Sequence, residues 1–380
     1  MKAGWRAVPL GELCEVKRGT TITQKQARPG PIPVIAGGIG PAYYHDTPNR
    51  PANTITVSGS GAGAGYVNFF DVPIFASDCS TVIPRDPQEV SVFFVHYFLK
   101  WKEPRIKSEL RQGAAQPHVY AKDVASLNIS LPPLDEQKRI VAVLDEAFEG
   151  LSRARANAEA NLEDADELFG AALDRFYRIE GASWPTATLP SVCLEFGRGK
   201  SRHRPRNDPR LYGGPHPFIQ TGDISRAGHL LTDFEQTYSD FGLQESKLWG
   251  AGTVCVAIVG ATIGESAVTA FDCCFPDSII GMTPDPQKAD AQFVEYAICC
   301  FKAELKDAGK GSARDNINLA TFEAQQFPMP DIRTQRAVVE RLKESSRLKE
   351  EAKGEFHSRL AALVTLRESV LQKAFSGELT

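Results

Sequence analysis

A strongly basic segment in the second half of the chain is the clearest candidate for chemistry. Positions 198–210 hold six arginine or lysine residues and a single acid, Asp208. Arginine and lysine bind phosphate, and arginine can also pair bidentately with guanine in the major groove. A solvated surface loop is the alternative interpretation. The predicted DNA contacts of this segment are Arg198, Lys200, Arg202, His203, Arg204 and Arg206.

A weaker counterpart lies near the start of the chain, where residues 17–25 are polar and basic after a short apolar run. Its predicted contacts are Lys17, Arg18, Thr20 and Lys25. The glycine-rich segments 58–65 and 260–264 also allow a backbone to approach a ligand closely, and Ser58 and Ser60 are the candidates there. Plain tight turns without a ligand explain these glycines equally well.

A third pair of segments shares a glycine but differs in its polar side chains. The glycines are Gly113 and Gly311, and the polar residues around them can read base edges. Gln116 aligns with Arg314, and His118 aligns with Asn316. A shared glycine position with different polar side chains around it predicts that the two segments recognise two different short DNA sequences. The candidates are Gln112, Gln116 and His118 in the first segment and Lys310, Arg314 and Asn316 in the second.

Motifs of catalysis and metal binding are not found in the sequence. It has no strand-associated G-x-G-x-x-G, no complete phosphate loop, and none of the Asn/Asp-Pro-Pro-aromatic tetrapeptides of amino-methyltransferases. Its seven histidines form no H-E-x-x-H, and its eight cysteines form no C-x-x-C and are expected to be buried thiols. We therefore predict a non-catalytic protein without a metal site or a cofactor of its own.

The composition is that of a globular protein, with 380 residues, 42% of them hydrophobic. The 43 Lys and Arg residues are outnumbered by 47 Asp and Glu residues, for a net charge of −4. Binding to nucleic acid must therefore depend on local patches rather than on overall charge. No run of 18 apolar residues and no apolar leader occur, which predicts a cytoplasmic location.

An internal repeat organises the elements that carry these residues. Trp5, Leu10, Cys14, Arg18 and Gly19 recur at an offset of 179 or 180, and residues 54–57 and Asp78 recur at an offset of 199 as residues 253–256 and Asp277. Ordered matches over two whole segments indicate a tandem duplication.

Each copy is followed by a long helix. Residues 131–144 reappear as residues 329–342, each with a proline before an apolar pattern of helical spacing. The predicted apolar stripe of the first helix, from Asp135 to Tyr177, includes Leu162, Ala165 and Leu168. The stripe of the second, from Gln335 to Phe375, includes Leu348, Leu363 and Leu366. We expect the two helices to pair antiparallel, with the globular segments at opposite ends of a rod with approximate two-fold symmetry.

The globular segments are mainly β. Strands are predicted at 54–57, 66–70, Val72–Phe75, 254–259 and 266–271, and helices at 90–111 and 289–308. The predicted fold class is α+β, with two tandem-repeated α/β target-recognition domains separated by a pair of long antiparallel helices. The predicted boundaries are 1–133, 134–183, 184–329 and 330–380.

The chain resembles the specificity subunit of type I restriction-modification systems. The resemblance is carried by residues 132–144 and 330–342, each with a Gln-(Lys/Arg) pair after the proline, and by the C-terminal residues 372–379. It implies a non-catalytic subunit that reads a split DNA target through two domains and sets the spacer with its helices. The implied partners are double-stranded DNA, two methyltransferase (modification) subunits using S-adenosylmethionine, and restriction/translocase subunits using ATP and Mg.

Two other functions remain open at this point, a scaffold that does not bind DNA and, third, a standalone nuclease, for which cleavage by the isolated chain would be the evidence. A scaffold with two domains for ligands other than DNA, carried on a helical spacer, would have the same repeat. The basic segment at 198–210 argues against it.

Overall fold

The computed structural model describes residue 2 and residues 4–113, 117–308 and 319–379. The chain divides into two compact units, one formed by residues 1–159 with 357–380 and the other by residues 160–356. Each unit contains one copy of the repeat and one end of each long helix. No helix within the described ranges combines the length and the apolar character needed to cross a membrane.

The first unit is built on an antiparallel sheet of order β2-β8-β5-β6. A second sheet joins β3 to β4 antiparallel and to β7 parallel, and β1 pairs with β9. The strands are β1 (Arg6–Pro9), β2 (Cys14–Arg18), β3 (Ile32–Ile35), β4 (Pro41–His45), β5 (Thr54–Ser58), β6 (Val67–Phe70), β7 (Phe75–Ala76), β8 (Cys79–Pro84) and β9 (Asn128–Leu131). The helices are α1 (Leu10–Leu13), α2 (Val92–Glu109) and α3 (Ala121–Ala125). Ile55 and Val57 of β5 share one apolar core with Phe94 and Phe98 of α2.

The first long helix, α4 (Leu134–Asp174), follows β9 after two prolines. It continues through a π-helical turn at Arg175–Ile179 and a 3-10 turn at Glu180–Ser183. The 41 residues of α4 span about 60 Å at 1.5 Å per residue.

The second unit repeats the sheet order of the first, as β11-β19-β16-β17, and adds β13 parallel to β17. Its other strands form a sheet of order β14-β12-β18-β15 and the pair β10-β20. The strands are β10 (Thr186–Thr188), β11 (Cys193–Arg198), β12 (Tyr212–Phe218), β13 (Leu230–Leu231), β14 (Gln236–Tyr238), β15 (Leu248–Trp249), β16 (Val254–Ala257), β17 (Ser266–Thr269), β18 (Cys273–Cys274), β19 (Ile279–Pro284) and β20 (Gln326–Pro328). The matching order of strands confirms the internal repeat.

The helices of the second unit lead to the second long helix. They are α5 (Leu189–Val192), α6 (Thr221–Arg226), α7 (Asp240–Gln244), α8 (Ala291–Cys300), α9 (Lys302–Ala308) and α10 (Leu319–Ala324), with 3-10 turns at Pro209–Leu211 and Gly260–Thr262. The second long helix, α11 (Ile332–Ser376), has 45 residues. Asp331 caps its start, because the carboxylate accepts the backbone N–H of Thr334 at 2.9 Å.

A buried glutamine explains why the helix-start motif is duplicated. Gln137 is fully buried, and its amide donates to the carbonyls of Glu89 and Pro132 while its oxygen accepts the N–H of Ser91. Gln335 makes the same three bonds, to the carbonyls of Lys288 and Pro330 and from the N–H of Asp290. Each glutamine therefore ties the first turn of a long helix to the loop that precedes α2 or α8.

The two long helices run antiparallel within each unit. In the second unit, Lys353 of α11 pairs with Asp166 of α4 at 2.9 Å, and the guanidinium of Arg341 lies 4.9 Å from the Phe176 ring, just beyond the end of α4. In the first unit, the other ends of the helices share a core that includes Leu144 and Leu371. Residues with higher numbers in and just after α4 therefore contact residues with lower numbers in α11, as expected for antiparallel helices.

Several local predictions are wrong in detail. The strand predicted at Val72–Phe75 is reduced to β7, and the helix predicted at 289–308 is interrupted at Phe301. Leu168, Leu348 and Leu366 do not lie in the buried seam, since their exposed fractions are 71%, 52% and 51%. Phe169 takes the buried place next to Leu168, because the stripe shifts by one position where the spacing is irregular.

Lys2, near the start of the sequence, lies beside Gly377 in the first unit. Lys2 pairs with Glu136 at 2.8 Å, and a Cβ added to Gly377 would lie 2.7 Å from the Cβ of Lys2. Gly377 has a φ of +85°, and the N–H of Glu378 donates to the carbonyl of Lys373 at 3.0 Å. This arrangement is the glycine-based stop of an α-helix, and it ends α11 against the start of the chain.

Candidate nucleic-acid interface

Both basic loops begin at the end of equivalent strands, and a glycine fixes each start. The N–H of Gly19 donates to the carbonyl of Cys79, and that of Gly199 donates to the carbonyl of Ile279. A Cβ at Gly19 would lie 2.2 Å from the Ser77 carbonyl oxygen, and one at Gly199 would lie 2.3 Å from that of Phe275. Only glycine allows this approach, so the Arg-Gly pair of both copies places an arginine at the sheet edge.

The glycine-rich loop of the first unit is joined to the predicted polar tip. The N–H of Gly61 donates to the carbonyl of Pro117, and that of Val119 donates to the carbonyl of Gly59. His118 exchanges two backbone hydrogen bonds with Gln112, of 2.7 and 2.8 Å. Ser60, Gln112 and His118 therefore lie together, although 58 residues separate Ser60 from His118 along the chain.

Arg18 also lies near Ser60, because both side chains bond to the carboxylate of Asp78. Its guanidinium donates to the Asp78 carboxylate at 3.4 Å, and the hydroxyl of Ser60 donates to that carboxylate as well. Arg18 and Asp78 border an open cavity of about 400 Å³, whose lining also includes His118, Tyr120 and Lys122. We name this group of five residues the first-unit patch.

Three members of the first-unit patch were missed from the sequence. Tyr120 is 42% exposed and stacks on His118 with ring centroids 6.2 Å apart, and the ammonium of Lys122 lies 5.8 Å from its ring centroid. The alternation of His118, Tyr120 and Lys122 is an aromatic and basic signal that could have indicated them. Asp78 was visible only as a match between the repeats, with no sign of its role as an acceptor.

The remaining candidates of the first unit differ in their surroundings. Thr20 and Lys25 are exposed, and Lys17 is exposed but pairs with Glu15, whose carboxyl pKa is lowered by that bond. Ser58 is a wrong prediction for a direct contact, because it is buried and its hydroxyl donates to the carbonyl of Gly38 at 2.8 Å. Both faces of β5 are covered, because all five of its residues are buried. Gln116 lies outside the described residues.

In the second unit, three cations of the basic loop are exposed and unpaired. Arg198, Lys200 and Arg202 make no side-chain hydrogen bond or ion pair with any residue in the described ranges. Their loop is nevertheless held in place, since the N–H of Lys200 donates to the carbonyl of Phe275 and that of Arg202 to the carbonyl of Glu245. We name these three residues the free cations. They offer positive charge on an anchored backbone, the arrangement that binds phosphate.

The other basic residues of the loop are engaged internally. Arg204 donates to the carbonyls of Ser201 and His203, and Arg206 donates to Asp277 at 2.7 Å. His203 bonds to Asp208 at 2.8 Å. The predicted residues therefore divide into cations free to bind a ligand and side chains that shape the loop.

Asp208 is the centre of these internal bonds. The Arg210 guanidinium and backbone N–H, together with His203, hold the pKa of the Asp208 carboxyl well below its usual range. It thus stays ionised at neutral pH and neutralises Arg210. Lys310, Arg314 and Asn316 lie outside the described residues.

The described part of the chain contains one group of potential metal ligands, His229, Glu295 and Cys299. It lies around a buried carboxylate of the second unit and includes none of the residues of the first-unit patch or the free cations.

Comparison with known proteins gives a consistent result over the whole chain. A family model described as the type I restriction modification DNA specificity domain matches residues 2–161 and again residues 186–355. The EcoKI specificity subunit of Escherichia coli K12 is 22% identical over 428 residues, covering 99% of this chain and 89% of that protein. A putative MjaX specificity subunit from Methanocaldococcus jannaschii is 23% identical over 272 residues, covering 67% of this chain but only 61% of that protein.

Two solved structures share the fold. One, reported for complex assembly and conformational transition of the type I R-M system, matches with a TM-score of 0.79 at 20% identity, covering 100% of this chain and 99% of that one. The HsdS subunit from Thermoanaerobacter tengcongensis matches with a TM-score of 0.61 at 20% identity, covering 100% and 98%. The predicted fold class, two repeated α/β domains with long helices, is confirmed.

Proposed function

The chain belongs to the type I restriction modification DNA specificity domain family, and from that premise we propose that its two repeats read two halves of a split DNA target. It is a DNA sequence-recognition subunit and not itself an enzyme. We assign recognition to residues 1–133 and 184–329 and spacing to residues 134–183 and 330–380.

The observation that carries this assignment is the contrast between equivalent surfaces. The two units share their sheet order and their Arg-Gly turns. The first unit adds to its Arg-Gly turn a stacked aromatic pair beside a carboxylate, whereas the second presents three free cations. Cations of this kind bind phosphate, and Asp or His side chains can discriminate base edges. Different side chains on one frame suit two different half-sites.

Carrying two modest DNA contacts on one chain also strengthens binding. Once one unit is bound, the second half-site is present at a high effective concentration, so two weak readers produce one tight complex. The spacer between the half-sites needs no contact of its own, and its length follows from the helices.

The long helices offer surface for protein partners. In the first unit, an open groove of about 540 Å³ lies between α4 and α11, lined by apolar residues that include Leu151, Leu360 and Val364. Val364 is 57% exposed. Apolar side chains in such a position favour a protein contact. We propose that two methyltransferase subunits dock on these helices, with restriction/translocase subunits joining through them in the cytoplasm. S-adenosylmethionine, ATP and Mg would belong to those partners.

Docking is tested at the exposed apolar residue of this groove. Val364→Glu should abolish co-purification with the host's modification subunit, because a charge would be buried against an apolar partner. Replacing the exposed Glu368 by alanine is the matched control. Retained co-purification of Val364→Glu would remove this groove from the docking surface.

DNA recognition is tested by mapping methylated adenines across the genome of a host that expresses this chain with its modification partner. We expect one bipartite motif with an unspecified spacer. Exchanging residues 184–329 for those of a relative should change one half of that motif only. A continuous motif, or no affinity for any duplex with the partner present, would favour a scaffold without DNA recognition.

A further inference from the structure

A buried carboxylate in the second unit is surrounded by other potential metal ligands. Glu295 of α8 is fully buried. The Nδ1 atom of His229 lies 3.0 Å from its Oε2, and the Sγ of Cys299 lies 3.0 Å from its Oε1. The ligand atoms of these three residues all lie within 4.8 Å of one another. His229 precedes β13, whereas Glu295 and Cys299 are one turn apart on α8.

Among the described residues, the buried carboxyl group of Glu295 has only neutral donors and His229 around it. No lysine or arginine within the described ranges pairs with it. Its remaining neighbours, the hydroxyl of Ser266 at 2.9 Å and the amide of Gln292 at 3.0 Å, are neutral donors. Lys302 is nearby but pairs with Glu265 at 2.5 Å. A buried carboxylate is stabilised by a nearby cation, and a metal ion bound at this place would supply one.

The donor set decides between classes of metal. An imidazole nitrogen, a carboxylate oxygen and a thiolate sulfur together suit zinc or a similar divalent transition metal, and the sulfur disfavours magnesium and calcium. Three protein ligands plus one water complete a tetrahedron. The side chain of His229 is 21% exposed, which leaves a route for the ion and its water. We propose that His229, Glu295 and Cys299 form a binding site for one zinc-like divalent metal ion.

The neighbouring groups fit this role. Ser266 and Gln292 donate to the two carboxylate oxygens and would orient Glu295 toward the ion, as outer hydrogen bonds do in metal sites. Binding would release the thiol proton of Cys299 to solvent, and the ring hydrogen of His229 would reside on Nε2, leaving the Nδ1 lone pair for the metal.

The first unit shows that the fold itself does not require this cluster. At the repeat offset of 199, Glu295, Cys299 and Ser266 correspond to His96, Lys100 and Val67. The equivalent helix α2 therefore packs on its sheet without a carboxylate or a thiol at these places. The metal would serve the second unit alone, by linking the segment before β13 to α8 across β17.

Cobalt titration of the full-length chain tests the site. After removal of metals with a chelator, we expect Co²⁺ to bind at about one equivalent and to produce the near-ultraviolet charge-transfer absorption of a cobalt–thiolate bond. Cys299→Ser should abolish this absorption, and His229→Gln should weaken binding at least about tenfold. Cys300→Ser is the matched control, because this adjacent thiol contacts Asp174 instead, and its absorption should equal that of the wild type.

A second measurement guards against variants that fold poorly. At about a hundredfold excess over the dissociation constant, Zn²⁺ should raise the Tm of the wild type and Cys300→Ser by about 5 °C, but not that of Cys299→Ser. Metal-free wild type and Cys299→Ser should melt at similar temperatures. The proposal is overturned if cobalt gives no thiolate absorption, if Cys299→Ser retains it, or if NMR shows His229 as imidazolium at neutral pH whether or not Zn²⁺ is present.

Discussion

At the scale of single residues, Lys200 and Arg202 test the proposed phosphate contacts most directly. Replacing both by alanine should lower the dependence of log affinity on log salt by about two units, since each phosphate contact contributes about 0.9. The variant should also bind more weakly to specific and non-specific duplex alike. Binding is measured by a salt titration with the modification partner present.

Arg347→Ala is the control for that titration, because Arg347 is held by Glu344 and Glu351 on the surface of α11. It removes a positive charge from the same unit without touching the loop. An unchanged salt dependence in the double variant would exclude the free cations from the interface.

His96 predicts a dependence of stability on pH. Burial, helped by the charges of Lys100 and Arg367, lowers the pKa of His96 to about 4, and its Nδ1 has no partner among the described residues. The folded chain therefore binds this proton less readily than the unfolded chain, whose histidine pKa is about 6.5. Stability should be full above pH 6.5 and should fall by on the order of 2–3 kcal/mol as the pH drops from 6.5 to 4.

Urea unfolding between pH 4 and pH 7.5 measures this dependence. In His96→Leu the free energy of unfolding should no longer change with pH between the two pKa values on account of this histidine, because the titrating group is gone. If the variant keeps the full slope, the pH dependence comes from other groups.

Residue types could be predicted from the sequence, but residue partners could not. The basic segment was found because its charges are adjacent. That Arg206 is occupied by Asp277 depends on a contact across 71 positions, and Ser58 is buried because both faces of β5 are covered. The grouping of His229 with Glu295 likewise joins positions 66 apart. Local patterns contain no information on such contacts.

At the scale of elements, the two buried glutamines join each long helix to its unit. Gln137→Ala and Gln335→Ala would each leave three backbone groups without a partner. An unsatisfied buried group costs about 1–3 kcal/mol, so each variant should lose roughly 3 kcal/mol or more unless water enters. Urea unfolding gives the free energy. The exposed neighbours Lys138→Ala and Arg336→Ala should change it by less than about 0.5 kcal/mol, and equal losses in variants and controls would contradict this role.

The elements were predicted better than the residues. Both long helices begin within three residues of the predicted starts, because proline and apolar spacing are local signals. The sheet strands at residues 54–58 and 254–257 were also predicted, since their β-branched residues alternate with turns. The strand at Val72–Phe75 failed, because its apolar residues connect two sheets rather than extend one. Leu168 and Leu348 failed, because irregular spacing moved the buried seam to neighbouring positions.

At the scale of the whole molecule, the length of the helices should determine the spacer of the DNA target. Removing seven residues from α4 and seven from the facing part of α11 keeps each helix close to its original phase, because seven residues make nearly two turns. Each helix shortens by about 10 Å, which corresponds to about three base pairs at 3.4 Å each. Methylome mapping should then show the same half-sites with a shorter spacer.

A control for this deletion removes seven residues from one helix only, which breaks the pairing and should abolish modification. If the paired deletion leaves the spacer unchanged, the helices do not measure it.

The contact of Lys2 with Gly377 has a consequence for how such a protein can be encoded. Because Lys2 and Gly377 are in contact, a short peptide linker could join the two ends of the polypeptide into a ring. A new opening could then be made ahead of Trp184, and the gene would begin with what is now its second half. The order in which the two recognition domains are encoded could therefore be reversed, and either order should give the same folded protein.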